Sequence, residues 1–193
     1  MCYNTQHTVL FGYIFVIFHF FVDMRIIAVI TLTIWTCILS TCAMPAAVDT
    51  QRHMYRLFLE VEDGDTIVYR GVHMRFLGVD TPEIKHSELG FYVDQPYGRD
   101  AKNFTRAQLR SANKVTCLSD GYDRYGRLLV HVFVDDVPLS LKIVEEGLGY
   151  ETVSVYGDNG FPEIAQKILK ASKLHPELPF ENPYLWRRKN RVR

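Results

Sequence analysis

Apolar and polar positions alternate with a period of two in several short stretches, the signature of half-buried strands. Met54 to Val61 is one such stretch. Thr66 to Tyr69 and Val72 to Val79 are two more, joined by Arg70-Gly71, the two-residue link of a tight hairpin. Asp63-Gly64-Asp65 separates the first stretch from the second with turn residues. Thr81-Pro82-Glu83 ends the third, because proline cannot donate to a ladder. An irregular polar loop from Ile84 to Gln95 follows, long enough to suggest a functional or mobile segment.

The period then changes. Gly98 to Ala112 reads as a helix carrying Ala101, Phe104 and Ala107 on one side. Lys114 to Ser119 and Arg127 to Val134 return to strand character, with Asp120 to Gly126 as the loop between them. Pro138 to Glu146 is a short helix, with proline at its first turn and Gly147 beyond its end. Glu151 to Tyr156 is expected as a short extended piece, and Pro162 to Lys173 as a last helix with Ile164, Ile168 and Leu169 inward. Five short strands with a helix between the third and fourth predict an α+β, mainly β fold: a five-stranded OB-fold Greek-key barrel with about three packed helices.

The N-terminus follows another rule. Between Met1 and Ala43 the only charged residues are Asp23 and Arg25, and two apolar runs, 9–22 and 26–39, fill the segment. Both are shorter than the roughly 20 residues of a comfortable membrane span. Met24-Arg25, the second run and the small residues up to Ala43 form the positive start, apolar stretch and small-residue end of an export signal, with Met24 as a true start. A membrane anchor and a buried core helix are the rival readings of the same residues. The expected organisation is a targeting segment at 1–43, a linker at 44–52, a domain at 53–175 and a basic tail at 176–193. The expected location is extracytoplasmic: secreted, or anchored to a membrane.

Composition narrows the classes further. Apolar residues make up 48% of the chain, enough for a core without staples. The formal net charge is zero, which argues against binding nucleic acid by bulk charge alone but permits a few aimed cations. Cys117 is the one cysteine outside the first 43 residues, so no disulfide is expected within the domain, and it reads as core. His53, His73, His86 and His131 lack the spacing of a zinc site.

The carboxylates carry the chemistry. Asp63, Asp65, Asp80 and Glu83 lie at the outer ends of strands that the hairpin folds together. Acids crowded in one place raise one another's pKa unless a cation joins them, and oxygen-only donors suit calcium or magnesium. Taken alone, Asp63-Gly64-Asp65 is also an ordinary polar turn. Arg75 on the same hairpin and Arg127 after the Gly126 turn are each explained as a simple salt bridge, or as a planar fork for phosphate. A metal, a carboxylate base and two arginines together are what phosphodiester hydrolysis requires.

Val61-Glu-Asp-Gly-Asp-Thr66, Met74-Arg-Phe-Leu-Gly-Val-Asp-Thr-Pro-Glu83 and Tyr125-Gly-Arg-Leu128, in that order, resemble the thermonuclease, or staphylococcal nuclease-like, family. The resemblance continues through Tyr97-Gly98, Ala101, Phe104 and Glu146-Gly-Leu148. It implies an OB-type barrel and a calcium-dependent nuclease that cleaves DNA and RNA, leaves 3′-phosphate ends and acts as a monomer. It implies calcium binding by Asp65, Asp80 and the backbone carbonyl of Thr81, with Asp63 a nearby acid. Glu83 would position or deprotonate the attacking water, and Arg75 and Arg127 would stabilise the phosphate. Tyr125 would line the nucleotide pocket, with Lys85 beside it. The family's paired tyrosines fall here at Val153 and Val155, which leaves Tyr150 or Tyr156 to stack a base. An OB module that binds nucleic acid or protein without cleaving is the alternative, although such modules have usually lost acids or arginines that this chain retains.

Overall fold

The structure, a computed structural model, describes residues 51–191, within a unit that runs from Asp49 to Arg193. The apolar runs, Met24, Cys2, Cys37 and Cys42 lie outside the described residues.

Strands β1 (Arg52–His53), β2 (Leu59–Val61), β3 (Thr66–Tyr69), β4 (Val72–Phe76), β6 (Val115–Tyr122), β7 (Leu128–Val134) and β8 (Val137–Pro138) form a curled seven-stranded mixed sheet. Its order is β1-β6-β7-β4-β3-β2, with β8 paired to β7. Consecutive strands pair antiparallel, but β4 and β7 run parallel, so the second half of the chain is laid against the first hairpin. A separate pair joins β5 (Val79–Asp80) to β9 (Tyr150–Glu151). The fold is thus α+β and mainly β, as expected, with the sheet curled into a half-barrel.

Five α-helices are described: α1 (Gly98–Ser111), α2 (Leu139–Glu145), α3 (Val153–Tyr156), α4 (Pro162–Ala171) and α5 (Pro183–Asn190). Two of them depart from expectation. The stretch 151–156 is extended only at Glu151 and then turns into α3. The residues expected as a basic tail contain α5, whose first turn Asn182 caps by accepting hydrogen bonds from the N–H groups of Tyr184 and Leu185. Among the described residues, no helix is long and apolar enough to cross a membrane.

The core explains why these elements stay together. Ile67, Met74 and Phe76 from the hairpin meet Val115, Cys117, Val130 and Val132 from β6 and β7. Leu139, Ile143 and Val144 of α2 and Ile168 of α4 belong to the same buried cluster. Burying each such side chain contributes about 1.5–3 kcal/mol. Cys117 is free and buried, and burial pushes its thiol pKa up, as befits a core residue rather than a nucleophile. Arg70 and Gly71 both adopt positive φ, the geometry that lets a two-residue link follow the strand twist.

Candidate active site

Register brings the acids together. Thr66 pairs with Arg75 across the β3–β4 hairpin, so Asp65, one residue before β3, lies beside the end of β4. The Phe76 N–H donates to the Asp65 carbonyl at 2.8 Å, which extends the ladder by that one residue. After Gly78 turns the chain at positive φ, β5 carries Asp80 into a pair with Tyr150. Asp65 and Asp80 are thereby delivered to the same end of the sheet.

Hydrogen bonds then join them. Arg75 forms an ion pair with Asp65 through Nη1, and its Nη2 donates to Asp80 Oδ1 at 2.6 Å. Thr81 donates its backbone N–H and its hydroxyl to Asp65 Oδ2, at 2.7 and 2.9 Å. Asp63 Oδ1 accepts from the Asp65 N–H at 3.0 Å and so shapes the turn. Helix α1 supports that turn: the Thr105 hydroxyl donates to the Gly64 carbonyl at 2.5 Å, and a Cβ at Gly64 would press on Thr81 and Ala101. The expected residues Asp63, Asp65, Arg75, Asp80 and Thr81 are therefore one connected group.

Glu83 is held from the other side. Its N–H donates to Gln95 Oε1 at 3.1 Å, and its carbonyl accepts from the Gln95 N–H at 2.8 Å. Gly98 begins α1 so close to this segment that a Cβ there would collide with the Glu83 carbonyl. The loop of residues 84–95 is tied down by Gln95, by a bridge between His86 and Phe91 and by the Lys85 N–H donating to Asp94. The Lys85 side chain is exposed.

Two residues in this site were not anticipated from sequence. Gln95 is almost fully buried, and its Nε2 donates to the Glu181 carbonyl at 2.6 Å. Arg187, in the segment expected as a basic tail, lies on α5. Its Nη1 instead donates to Glu83 Oε1 at 2.5 Å and Asp80 Oδ1 at 3.1 Å, and its Nη2 to Asp80 Oδ2 at 2.9 Å.

The charges shift one another in opposite directions. Burial alone would raise Asp80, but Arg75 and Arg187 overcome it and hold the carboxyl below its usual range. Burial raises Glu83, and the negative charge of Asp63 adds to the effect, against the pull of Arg187 and Arg75. Burial also raises Asp63. Burial works against the charge of Arg187, but its bonds to Asp80 and Glu83 raise its pKa and keep it protonated.

Arg127 lies at the start of β7, the strand parallel to β4, where Arg75 pairs with Leu129. The Arg127 guanidinium is held by Asp123, through Nε at 2.8 Å, rather than by the acids of the main group. Tyr125 is exposed and stands within cation–π range of Arg124 and Arg127. Of the two stacking candidates, Tyr150 is committed to packing: its hydroxyl donates to the Phe180 carbonyl and its ring meets Phe180 edge-on. Tyr156, at the end of α3, is exposed.

The model of the staphylococcal nuclease homologue family matches residues 73–174, a range that includes Arg75, Asp80, Thr81, Glu83 and Arg127. The chain belongs to the staphylococcal nuclease family. A protein named thermonuclease from Staphylococcus intermedius is 35% identical over 97 residues, covering 48% of this chain and 56% of that protein. An uncharacterized protein, MJ1439, from Methanocaldococcus jannaschii is 32% identical over 133 residues, or 58% of this chain and 64% of that protein. Endonuclease YncB of Bacillus subtilis is 38% identical over 92 residues, 45% of this chain and 42% of that protein. The chain thus spans about half the length of the curated relatives it matches.

The donor set suits a hard divalent cation. Two carboxylates, Asp65 and Asp80, and the Thr81 carbonyl are oxygen donors of the kind calcium takes. Both Asp80 oxygens receive donors from Arg75 and Arg187 in this structure, so a cation bound there would have to share or displace those contacts. Among the described residues, no group of three or more His, Cys, Asp or Glu side chains is placed to hold a metal. A calcium site here would therefore draw on the backbone carbonyl and water as well as the two aspartates.

Proposed function

We propose that this domain is a calcium-dependent endonuclease that hydrolyses phosphodiester bonds of DNA and RNA and leaves 3′-phosphate ends. The observation that supports it most is the hydrogen-bonded group of Asp65, Arg75, Asp80, Thr81 and Glu83. Nuclease names among the relatives point the same way.

Asp65, Asp80 and the Thr81 carbonyl would hold the calcium, which supplies charge neutralisation at a phosphate oxygen and orients a water. Asp63 shapes the turn that carries Asp65. Glu83, with its raised pKa, is suited to take the proton of the attacking water. Arg75 and Arg127 would stabilise the charge that builds on the phosphate, each through a planar fork. Tyr125, Lys85 and the exposed Tyr156 would contact the nucleotide, and a stacked base contributes about 1–3 kcal/mol.

We also propose that the protein acts outside the cytoplasm, secreted or anchored through residues 1–43, and that it is a monomer. N-terminal sequencing of the mature protein tests export: a start at Met44 supports cleavage after Ala43, and a retained segment supports an anchor.

End-group analysis of the products tests the reaction. Digestion of single-stranded DNA by the full chain with calcium is expected to give 3′-phosphate and 5′-hydroxyl termini. Termini of the opposite kind would contradict these role assignments.

A further inference from the structure

The chain beyond residue 175 is fastened across the site at several points. Phe180 packs against Tyr97 and Tyr150, with ring centroids 5.5 and 5.7 Å apart. The Glu181 carbonyl accepts from Gln95, the residue that also holds Glu83. Asn182 caps α5, and Trp186, buried within it, lies 5.8 Å from the Phe91 ring. These anchors set the position of Arg187, the residue after Trp186. Its guanidinium reaches both oxygens of Asp80 and one oxygen of Glu83.

We propose that Arg187 is a built-in counter-cation that competes with the divalent metal for Asp80 and keeps Glu83 engaged until the metal binds. This inference rests on the calcium reading above. Asp63, Asp65, Asp80 and Glu83 bring four carboxyl groups to one end of the sheet, and like charges there repel unless a cation intervenes. Arg75 is shared between Asp65 and Asp80. Arg187 supplies a second positive charge, sharing Asp80 Oδ1 with Arg75 and taking Oδ2 alone. A metal bound to Asp80 must take an oxygen that Arg187 now holds, and two cations at such short range repel. Glu83 Oε1 accepts from Arg187, so one oxygen of the proposed base is engaged in this state. In this state Arg187 thus holds both oxygens of Asp80 and one oxygen of Glu83.

Linkage gives the effect its sign and its size. If metal and guanidinium exclude one another, removing the guanidinium must tighten the metal, by the same factor by which the metal weakens the guanidinium. Coupling of this kind is typically about fivefold to 150-fold. A residue that merely positioned Asp80 would give the reverse: its loss would weaken the metal.

The test is calorimetric titration of calcium into the full chain, into R187Q and into R188Q, at low ionic strength. Arg188 is exposed on the same helix and lies over the Tyr184 ring, so its variant makes an identical charge change away from the acids. The expected result is an affinity at least about fivefold tighter for R187Q than for the other two proteins. W186A, which removes the anchor but keeps the guanidinium, should shift affinity in the same direction. Equal or weaker binding by R187Q overturns the proposal while leaving the calcium site in place. An equal gain in R187Q and R188Q overturns it as well, since the cause would then be net charge. Absence of calcium binding in all three folded proteins overturns both this inference and the calcium reading.

Discussion

Thr81 gives both of its donors to a single oxygen: its N–H and its hydroxyl reach Asp65 Oδ2 at 2.7 and 2.9 Å. Sixteen residues of chain separate the pair, and both partners are buried. Asp65 is thereby fixed from the β5 side by Thr81 and from the β4 side by Arg75. A carboxylate oxygen held twice in a buried setting makes each donor costly to lose.

Thr81→Val keeps the shape and the N–H but removes the hydroxyl. We expect a stability loss of about 1.5–3 kcal/mol, the range for a hydrogen bond to a charged group. Urea denaturation of the two proteins measures it. An unchanged midpoint would mean that the hydroxyl does not stabilise Asp65.

Glu83→Gln removes the proposed base and keeps its size. Turnover should fall by about 10²–10⁴-fold, the usual contribution of a positioned base. Calcium binding by calorimetry should survive, because Glu83 is not among the proposed ligands. The pH dependence carries a sign. A base must be deprotonated to act, so the wild-type rate should increase as pH rises through the acid limb that Glu83 sets. That limb should be missing from Glu83→Gln, and a profile unchanged by the substitution would exclude Glu83 as the base.

His131 predicts an acid-sensitive stability unconnected to catalysis. It is buried on β7 with its ring 5.0 Å from Phe161, and its Nδ1 has no hydrogen-bond partner. Burial lowers its pKa from 6.5 to about 4. A lowered folded pKa means that the unfolded chain takes up the proton first. The contribution is therefore intact above about pH 6.5 and is lost as pH falls toward about 4. The loss is on the order of 3–4 kcal/mol at most, at about 1.4 kcal/mol per unit. His131→Leu should flatten the fall in stability across that window. Denaturation at intervals between pH 7 and 4 would show it, and parallel curves would contradict it.

The parts of the site that sequence revealed are those built by local geometry. Arg70-Gly71 announced the hairpin, and a hairpin's register is enough to bring Asp65 near Arg75 and Asp80. The period-2 and helical patterns likewise placed α1, α2 and α4 within a few residues of their observed ends.

The parts it concealed depend on distant partners. Arg187 meets Glu83 across 104 residues and Asp80 across 107. Gln95 meets Glu181 across 86. No pattern of period two or 3.6 encodes such contacts. Helix α5 did carry a local signal, since Asn182-Pro183 is a cap followed by a proline at the first helical position. It was obscured by the run of basic residues after Trp186, which reads as a solvated end. Glu151–Tyr156 is expected to be extended, but α3 forms there, with Val153 packed against the core.

Digestion of DNA by the full chain, with calcium and with a chelator, tests the central claim most directly. Cleavage with calcium that stops in the chelator is the predicted result, and Asp80→Ala should lose the cleavage seen with calcium. Intact DNA after incubation of the folded protein with calcium, or cleavage that the chelator leaves unaffected, would contradict the claim.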